Sequence, residues 1–459
     1  MSHFDLVVRS GLLVGHDQVV AADLGVRDGR VAAVGTGLAG ADEEVDASGL
    51  WVLPGLVDPH VHLRDPGMTD KEDFGTGTAA AAVGGVTTVL DMPNTIPPVA
   101  TPALLAEKRD RVAPKAHVDF GLYGLLDQES SAAMAGFAAQ GAAGVKLFMG
   151  QTTGDNPCPD DGAIFAGLRA AGAAGLVVGV HAENNPLLQR LAAELRAAGR
   201  TDPHAHLESR PSVVEAEAVQ RVLALASVTD AHVHIHHLSS ADGLAAFRRA
   251  RRAGARASCE ALVAHLLLDE RAYEEHGNLV KLNPPIRARA DVDALRAALL
   301  GGEVDCVATD HAPHTAVEQA EVDVWRAHGG FIGVETLLPL LLTQVAAGWL
   351  GARQLVRLTS LGPARIWGLY PRKGHLGLGA DADLVLVDPA REATVRPELL
   401  HSKHPVTPFA GWPLVGAPVA TYLRGRLVAR DGALVGRPTG RFVAPARLAG
   451  LLAGERTRA

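Results

Sequence analysis

Two histidines, His60 and His62, stand two positions apart in the segment PGLVDPHVHLRDPG (54–67). Alternation along a β-strand places both imidazoles on one face of the strand, and imidazole nitrogens are frequent ligands of divalent metals. The pair therefore predicts the start of a metal site. The competing interpretation is two polar residues at the point where a strand leaves the core.

A lysine in apolar surroundings is the second candidate. Lys146 lies in GVKLF (144–148) and is predicted to be buried, in a chain with seven lysines among its 43 basic residues. A buried amine without a partner is costly, and lysine, unlike arginine, can lose its proton and react. This position indicates a chemical role. The alternative is a side chain that extends from the strand end to solvent.

Polar residues also end two other apolar segments. His181 lies at the end of LVVGVHA (176–182), and Asp310 ends VDCVATD (304–310). Nitrogen and oxygen ligands without a thiolate suit a catalytic Zn²⁺ or a similar divalent ion. The convergence of these residues at strand ends is stronger evidence than any one of them.

The segment HVHIHHL (232–238) contains four histidines. Alternation places Val233, Ile235 and His237 on one face and the remaining histidines on the other. Because barrel interiors favour branched apolar side chains, we expect the Val/Ile face to point inward and to carry His237 to the site, with His236 as the alternative. The histidines of the other face are then expected under the helices or near solvent.

The candidates lie on apolar strands that alternate with Ala-rich helices. The predicted strands are residues 56–62, 86–92, 117–123, 144–148, 176–182, 232–238, 255–260 and 304–310. The predicted helices include residues 76–83, 102–112, 129–140, 211–227, 241–253 and 291–300. This α/β pattern predicts a closed (β/α)₈ TIM-like barrel with its site at the C-terminal strand ends. An open doubly wound sheet is the rival, but its GxGxxG turn is missing.

The two ends of the chain have a different pattern. Residues 4–53, 381–388 and 419–432 show short strands and turns, with Asp28-Gly29 and Asp431-Gly432 as turn signals. They predict one small β-sandwich domain assembled from both termini. The expected domains are residues 1–53 (sandwich), 54–370 (barrel) and 371–459 (sandwich and tail).

Composition excludes several classes of function. The 459 residues carry a formal net charge of -8, and the mild acidity, spread along the chain, gives no nucleic-acid footprint. No apolar run reaches the ~18 residues needed to span a bilayer, and the N-terminus lacks the features of a secretory signal. Three scattered cysteines favour a reducing compartment. We expect a cytoplasmic protein without nucleic-acid or membrane partners.

Taken together, these segments resemble the cyclic amidohydrolases, a group that includes dihydroorotases, allantoinases and hydantoinases or dihydropyrimidinases. The resemblance extends from about residue 48 to 430. Its markers are PGLVDPHVHLRDPG (54–67), GGVTTVLDMPN (84–94), GVKLF (144–148), HAEN (181–184), NPPIR (283–287), TDHAPH (309–314) and TPFAGW (407–412). The resemblance implies a metal-dependent hydrolase that opens a ring amide and forms a homo-oligomer, a dimer or a tetramer.

The resemblance also implies a set of metal ligands. The set is His60, His62, Lys146, His181, His237 and Asp310. In such enzymes the lysine is carboxylated by CO₂ and bridges two divalent ions, here expected to be Zn²⁺. Hydroxide formed between the ions would attack the ring amide, while Asp310 accepts the proton and returns it to the departing nitrogen.

Four further residues bear on the substrate. Arg64, Asn94 and His314 would make a clamp for a carboxylate, and in dihydroorotases the matching residues hold the substrate carboxylate. Asn283 in NPPIR also matches that group. We therefore expect reversible conversion of L-dihydroorotate to N-carbamoyl-L-aspartate, a step of pyrimidine biosynthesis.

Other interpretations stay open. Arg64 could instead form a salt bridge with Asp65 or Asp70. Residues 202–221 resemble hydantoinases and allantoinases, and Val263-Ala264 stands where dihydroorotases usually have Pro-His. An allantoinase or a hydantoinase/dihydropyrimidinase is the alternative enzyme. A scaffold protein that has lost its metals is an alternative of a different class. The presence of every expected ligand argues against it.

Overall fold

The computed structural model describes residues 3–152 and 158–446. Five strands come first: β1 (Phe4–Val14), β2 (Val19–Arg27), β3 (Arg30–Gly35), β4 (Ala41–Asp46) and β5 (Trp51–Pro54). The next eight are β6 (Leu56–Val61), β7 (Val86–Asp91), β8 (Asp119–Leu126), β9 (Gly144–Phe148), β10 (Val177–His181), β11 (His232–Ile235), β12 (Ala257–Leu262) and β13 (Cys306–Ala308). The last four are β14 (Leu384–Thr394), β15 (Pro413–Leu423), β16 (Arg426–Arg430) and β17 (Ala433–Leu434).

Helices alternate with the middle strands. They are α1 (Phe74–Val83), α2 (Pro102–Val112), α3 (Met134–Ala139), α4 (Asp161–Ala173), α5 (Asn185–Ala197), α6 (Pro203–Glu208), α7 (Ser212–Ala226), α8 (Ala241–Arg252), α9 (Val263–Leu267), α10 (Ala272–His276), α11 (Arg289–Leu300), α12 (Ala316–Gln319), α13 (Leu337–Ala346), α14 (Ala352–Val356) and α15 (Gly362–Ile366). Within the described ranges, no helix combines the length and the hydrophobicity needed to cross a bilayer.

Strands β6 to β13 form a parallel barrel. Each strand pairs with the next one along the chain. The barrel closes through a parallel bridge between Val61, at the end of β6, and His311, three residues after β13. At this bridge the His62 N–H donates to the His311 carbonyl at 2.7 Å. All eight predicted strands are present, and the barrel is confirmed. The predicted helix over 129–140 is divided into a 3₁₀ turn, Ser130–Ala133, and α3.

Helix α8 illustrates how local sequence places a helix on the barrel. The Ser240 side chain caps its first turn by accepting from the Gly243 N–H, which satisfies a donor that the helix itself leaves free. Leu244 and Phe247 are buried, one helical turn apart. Arg251 and Arg252 lie in the last turn, where a positive charge suits the helix dipole. The helix thus has one apolar face, which packs against the strands.

The strands from both ends of the chain form a second, nine-stranded sheet. Strand β5 lies between β14, with which it pairs antiparallel, and β1, with which it pairs parallel. The sheet has an apolar core of its own, which includes Leu6, Leu24, Leu384 and Tyr422. A β-domain built from both termini is therefore confirmed, whereas the boundaries at 53/54 and 370/371 stay a prediction.

A buried ion cluster joins this sheet to the barrel. The Lys373 ammonium lies 2.6 Å from a carboxylate oxygen of Asp119, at the start of β8, and 2.6 Å from one of Asp383, just before β14. Asp381 lies 3.1 Å from the same ammonium, and Arg424 pairs with Asp119 from the other side. Asp119 has no exposed surface. The cluster fixes one end of the barrel to the β-domain.

Candidate metal centre

All six residues of the predicted ligand set line one cavity at the C-terminal ends of the barrel strands. They are His60 on β6, His62 just after it, Lys146 on β9, His181 on β10, His237 after β11 and Asp310 after β13. Each of them is at most 9% exposed. Residues that are far apart in the sequence therefore meet because parallel strands end at the same rim.

The ligand atoms form two groups. In the first, His60 Nε2 and His62 Nε2 lie 3.2 Å and 2.9 Å from Oδ1 of Asp310. In the second, His181 Nδ1 lies 3.1 Å from His237 Nε2. Two ligand atoms of one tetrahedral zinc ion lie roughly 3.4 Å apart. The spacing within each group is thus close to that of ligands sharing an ion.

The surroundings of the donor atoms also fit a metal centre. Asp310 Oδ1 is buried and faces the Nε2 atoms of His60 and His62. Burial lowers the pKa of His60, His62, His181 and His237, which keeps these imidazoles neutral, the form that binds metal. A donor set of imidazoles and a carboxylate suits a divalent ion such as Zn²⁺.

The opposite ring nitrogens are held by a second set of side chains. His60 Nδ1 lies 2.6 Å from Glu260 Oε1, and His62 Nδ1 lies 2.8 Å from the amide oxygen of Asn94. Such contacts fix the ring orientation and leave the other nitrogen with a lone pair. The ring nitrogens held in this way are Nδ1, so the Nε2 atoms of both histidines face Asp310.

Lys146 has the environment of a reactive amine. Its side chain is 1% exposed, and no carboxylate among the described residues lies within ion-pair distance of its Nζ. Burial lowers the pKa of Lys146 to about 8, although Asp310 and Glu260 act in the opposite direction. The amine therefore loses its proton more readily than that of an exposed lysine.

The structure corrects the predicted orientation of β11. Val233 and Ile235 belong to the apolar layer shared with Val222 of α7 and Phe247 of α8, so the Val/Ile face points outward. The other face points into the barrel, where the His234 ring lies 4.6 Å from that of Trp367. The branched residues fill the layer under the helices, and the barrel interior is polar at this level.

His237 nevertheless reaches the cavity, by a different route from the one predicted. Strand β11 ends at Ile235, and His237 adopts a left-handed backbone conformation with φ of 39°. The chain therefore turns before the alternation can continue. His236, the alternative ligand, lies beneath the cavity with its ring centroid 4.4 Å from that of His60.

The predicted substrate residues also come together. Arg64, Asn94 and Asn283 line the cavity. His314 lies behind Arg64, with Nε2 3.3 Å from a guanidinium nitrogen. Burial, Arg64 and Lys71 all lower the pKa of His314, so this ring is neutral. Three of the four residues thus line the cavity, and His314 supports Arg64 from behind.

Arg64 is a buried cation without a carboxylate partner. It is 4% exposed, and its Nε donates to the Pro313 carbonyl at 3.2 Å. Among the described residues, no carboxylate lies within ion-pair distance of its guanidinium, and Asp65 pairs with Lys115 at 2.7 Å instead. The salt-bridge alternative for Arg64 is wrong. Burial lowers the pKa of Arg64 to about 10, and a charge held at this cost suits an anionic ligand.

Two acidic residues of the site were missed in the sequence. Glu183 lies two residues after His181, with Oε2 3.0 Å from His181 Nε2. Glu260 lies near the end of β12 and contacts His60. Burial would raise the pKa of Glu260, but His60 and His234 outweigh it and lower the pKa to about 2. The signal was present, because Glu260 is the last residue of the predicted strand 255–260, just as Asp310 is the last residue of the predicted strand 304–310.

Comparison with known proteins identifies the family. The amidohydrolase family matches residues 51–428. The chain belongs to the amidohydrolase family. This amidohydrolase is 41% identical over 451 residues to an allantoinase of Rubrobacter xylanophilus, covering 97% of this chain and 99% of that protein. It is 38% identical over 431 residues to a dihydroorotase of Methanothermobacter thermautotrophicus, covering 93% and 95%.

A solved structure agrees with this assignment. The L-hydantoinase (dihydropyrimidinase) from Arthrobacter aurescens superposes on the amidohydrolase with a TM-score of 0.94 and 35% sequence identity, over 96% of this chain and all of that one (100%). The resemblance to cyclic amidohydrolases is confirmed, and with it the assignment of the chain as a hydrolase.

Proposed function

We propose that this amidohydrolase opens the ring amide of L-dihydroorotate reversibly, giving N-carbamoyl-L-aspartate. The observation that carries the proposal is Arg64. A buried guanidinium without a carboxylate partner lines the same cavity as the candidate ligand atoms. The substrate carboxylate would supply the missing partner through charge-assisted hydrogen bonds.

The proposed cofactor is a pair of divalent ions, and Zn²⁺ is the ion that we propose. His60, His62 and Asp310 would hold one ion, and His181 and His237 the other. Bound there, the ions supply Lewis-acid activation of water and of the scissile carbonyl. The chemistry of the donor set and the close approach of its atoms within each group fit this cofactor.

Lys146 would complete the centre as a carbamate. Its neutral amine adds to the carbon of CO₂ and releases a proton, which gives an anionic group with two oxygens. A pKa lowered to about 8 by burial favours the neutral amine that this addition requires. The carbamate would bridge the two groups of ligands.

Asp310 is the proposed acid and base. Its carboxylate faces the two histidines of the first group. Burial would raise the pKa of Asp310, but His62 outweighs this effect and the pKa is lowered, so the group is ionised and can accept a proton. It would take the proton of the attacking water and return it to the ring nitrogen as the amide bond breaks.

Substrate orientation would come from the wall beside Asp310. Arg64 pairs with the substrate carboxylate, while the amide nitrogen of Asn94 stays free to donate because its oxygen is engaged by His62. Asn283 donates to Thr152 at 3.2 Å, and its buried oxygen has no hydrogen bond within the described residues. That oxygen is suited to accept from a ring N–H.

An allantoinase or hydantoinase is the second candidate. The observation that favours it is the 41% identity to the Rubrobacter allantoinase and the fold shared with the L-hydantoinase. In such an enzyme Arg64 would donate to a neutral ureide carbonyl. Its charge would then be balanced only by carboxylates beyond ion-pair distance, Asp310 and Asp91 among them, which is the less favourable arrangement.

A comparison of rates tests the proposal. The zinc-loaded protein is assayed with dihydroorotate, dihydrouracil, hydantoin and allantoin, after measurement of its metal content. We expect dihydroorotate to be turned over fastest and two ions to be bound per chain. Faster turnover of a neutral ring would overturn the substrate, and well under one ion per chain would favour the scaffold alternative.

A further inference from the structure

The barrel interior beneath the cavity contains a row of polar side chains that hydrolysis does not use. Neighbouring strands supply them: β11 contributes His232 and His234, His236 follows directly after β11, and β12 contributes Ser258 and Glu260. All except His232, at the start of β11, are at most 5% exposed. Buried polar groups are costly unless they are paired, so the contacts of this row have a structural consequence.

Glu260 touches both groups of the metal centre. Its Oε1 lies 2.6 Å from Nδ1 of His60, in the first group. The same oxygen accepts from the backbone N–H of His237, in the second group, at 3.2 Å. One carboxylate oxygen therefore connects a side chain of one group with the backbone of the other.

The second oxygen of Glu260 is held by His234 and, through it, by Ser258 and His232. Glu260 Oε2 lies 3.2 Å from His234 Nε2, and His234 Nδ1 lies 2.8 Å from Ser258 Oγ. His232 Nε2 lies 2.9 Å from the same hydroxyl. The contacts form one chain of hydrogen bonds from the start of β11 to the metal centre.

One assignment of protons satisfies every contact in this chain. His232 donates to Ser258, Ser258 donates to His234, and His234 donates to Glu260. An ionised carboxylate only accepts, so His60 must also donate its Nδ1–H to Glu260. The lone pair of His60 is thereby left on Nε2, the atom that faces Asp310.

The aromatic surroundings of the row strengthen these hydrogen bonds. Trp367 packs on His234 with ring centroids 4.6 Å apart, and Tyr123 lies 6.1 Å from His236. Hydrogen bonds in such low-dielectric surroundings are stronger than in water. Gly179 on β10 leaves space for the His236 ring, because a Cβ at this position would lie 2.1 Å from His236 Nε2.

We propose that Glu260 is a positioning residue of the metal centre. It fixes the tautomer of His60 and the backbone of His237, and the row His232–Ser258–His234 fixes Glu260. Metal affinity therefore depends on a residue that makes no contact with metal or substrate. The inference rests on the proposed metal dependence, and it is independent of which ring is the substrate.

The variant Glu260→Gln tests the proposal. Glutamine keeps the size of the side chain but replaces one acceptor oxygen with a donor, so it cannot accept from both His60 and His234. We expect the affinity of the metal-free protein for Zn²⁺, measured by competition with a chromophoric chelator, to fall about 10- to 100-fold. In ¹⁵N spectra of the metal-free protein, His60 should gain the tautomer protonated at Nε2.

Glu215→Gln is the matched control. Glu215 is a carboxylate on α7, 1% exposed, that accepts from the backbone N–H groups of Ser239 and Ser240 instead of from a histidine. This variant should lower the melting temperature and leave the zinc affinity unchanged. An equal loss of zinc affinity in both variants would show a general effect of destabilisation and overturn the proposal, as would unchanged affinity in Glu260→Gln.

A second variant covers the case in which Glu260→Gln does not fold. Glu260→Asp keeps the charge but is one methylene shorter, so it cannot span His60 and His234, and it should lose zinc affinity in the same way. Unchanged affinity in this variant would also overturn the proposal. A wild-type protein that takes up no zinc would overturn the proposed function instead, so the two failures are distinguishable.

Discussion

Replacing Arg64 with methionine separates substrates that carry a carboxylate from those that do not. Methionine keeps an unbranched side chain and removes the guanidinium. The backbone φ of 59° at this position is equally unusual for both residues, so the substitution reports on the charge. Because Arg64 is 4% exposed and has no carboxylate partner among the described residues, it is free to pair with a substrate.

The size of the effect follows from this burial. Removing one partner of a buried charge pair costs about 2–5 kcal/mol. At about 1.4 kcal/mol per tenfold change, kcat/KM for dihydroorotate should fall roughly 30- to 5,000-fold. A ring without a carboxylate does not pair with Arg64 in the wild-type protein, so removing the guanidinium should leave kcat/KM for that ring the same or raise it.

The assay compares dihydroorotate with dihydrouracil, the same ring without its carboxylate, at equal metal content. Lys115→Met is the control, because Lys115 pairs with Asp65 next to Arg64 but does not line the cavity; both rates should be unchanged in it. An equal loss on both rings in Arg64→Met would refute the clamp and assign Arg64 a structural role.

Four further predictions concern the centre and the fold. Lys146→Ala should abolish activity and lower metal content, and full activity with normal metal content would contradict the bridging role. Asp310→Asn should lower kcat roughly 10²- to 10⁴-fold, and an unchanged kcat in steady-state assays would exclude the proton transfer. Lys373→Met leaves the buried Asp383 without a cation partner and should cost about 3–5 kcal/mol in urea unfolding. An unchanged free energy of unfolding would refute the role of the ion cluster. Glu335 raises the pKa of His401, so the pair stabilises the fold below the unfolded pKa of about 6.5, and this contribution is lost as the pH rises through the folded pKa. His401→Gln should therefore lose at most about 1 kcal/mol of stability at low pH and nothing at alkaline pH. A loss that does not depend on pH would contradict the prediction.

The positions of the ligand residues could be predicted because they depend on strand ends. His60, His181 and Asp310 each close an apolar segment, and a parallel barrel brings such ends to one rim. Lys146 stood out because lysine is rare in this chain and lies between apolar residues. Their roles as ligands stay a prediction, while their proximity is a property of the fold.

The orientation of β11 could not be predicted in the same way. Alternation correctly grouped Val233 with Ile235, but it does not say which group faces inward. The rule that barrel interiors are apolar failed because Glu260, on the neighbouring strand, gives His234 a polar partner inside the barrel. That partner comes from 26 residues further along the chain, beyond the reach of a local pattern.

The partners of Arg64 could not be predicted from the sequence either. Its nearest carboxylate in the sequence, Asp65, is engaged by Lys115, which is 50 residues away. Charges that are adjacent in sequence can point to opposite sides of a chain in a tight turn. Only the folded arrangement distinguishes a salt bridge from a cation left for a ligand.

The seam of the barrel, where Val61 meets His311, has a consequence for synthesis. The histidines of the first ligand group lie on one side of the seam and Asp310 lies on the other, about 250 residues later. A nascent chain emerging from the ribosome N-terminus first therefore lacks a complete site until the eighth strand is out. Strand β5 pairs with β14, so its partner is synthesised even later. The proposed metal site is therefore completed only at the end of folding, and a product truncated before residue 310 lacks Asp310.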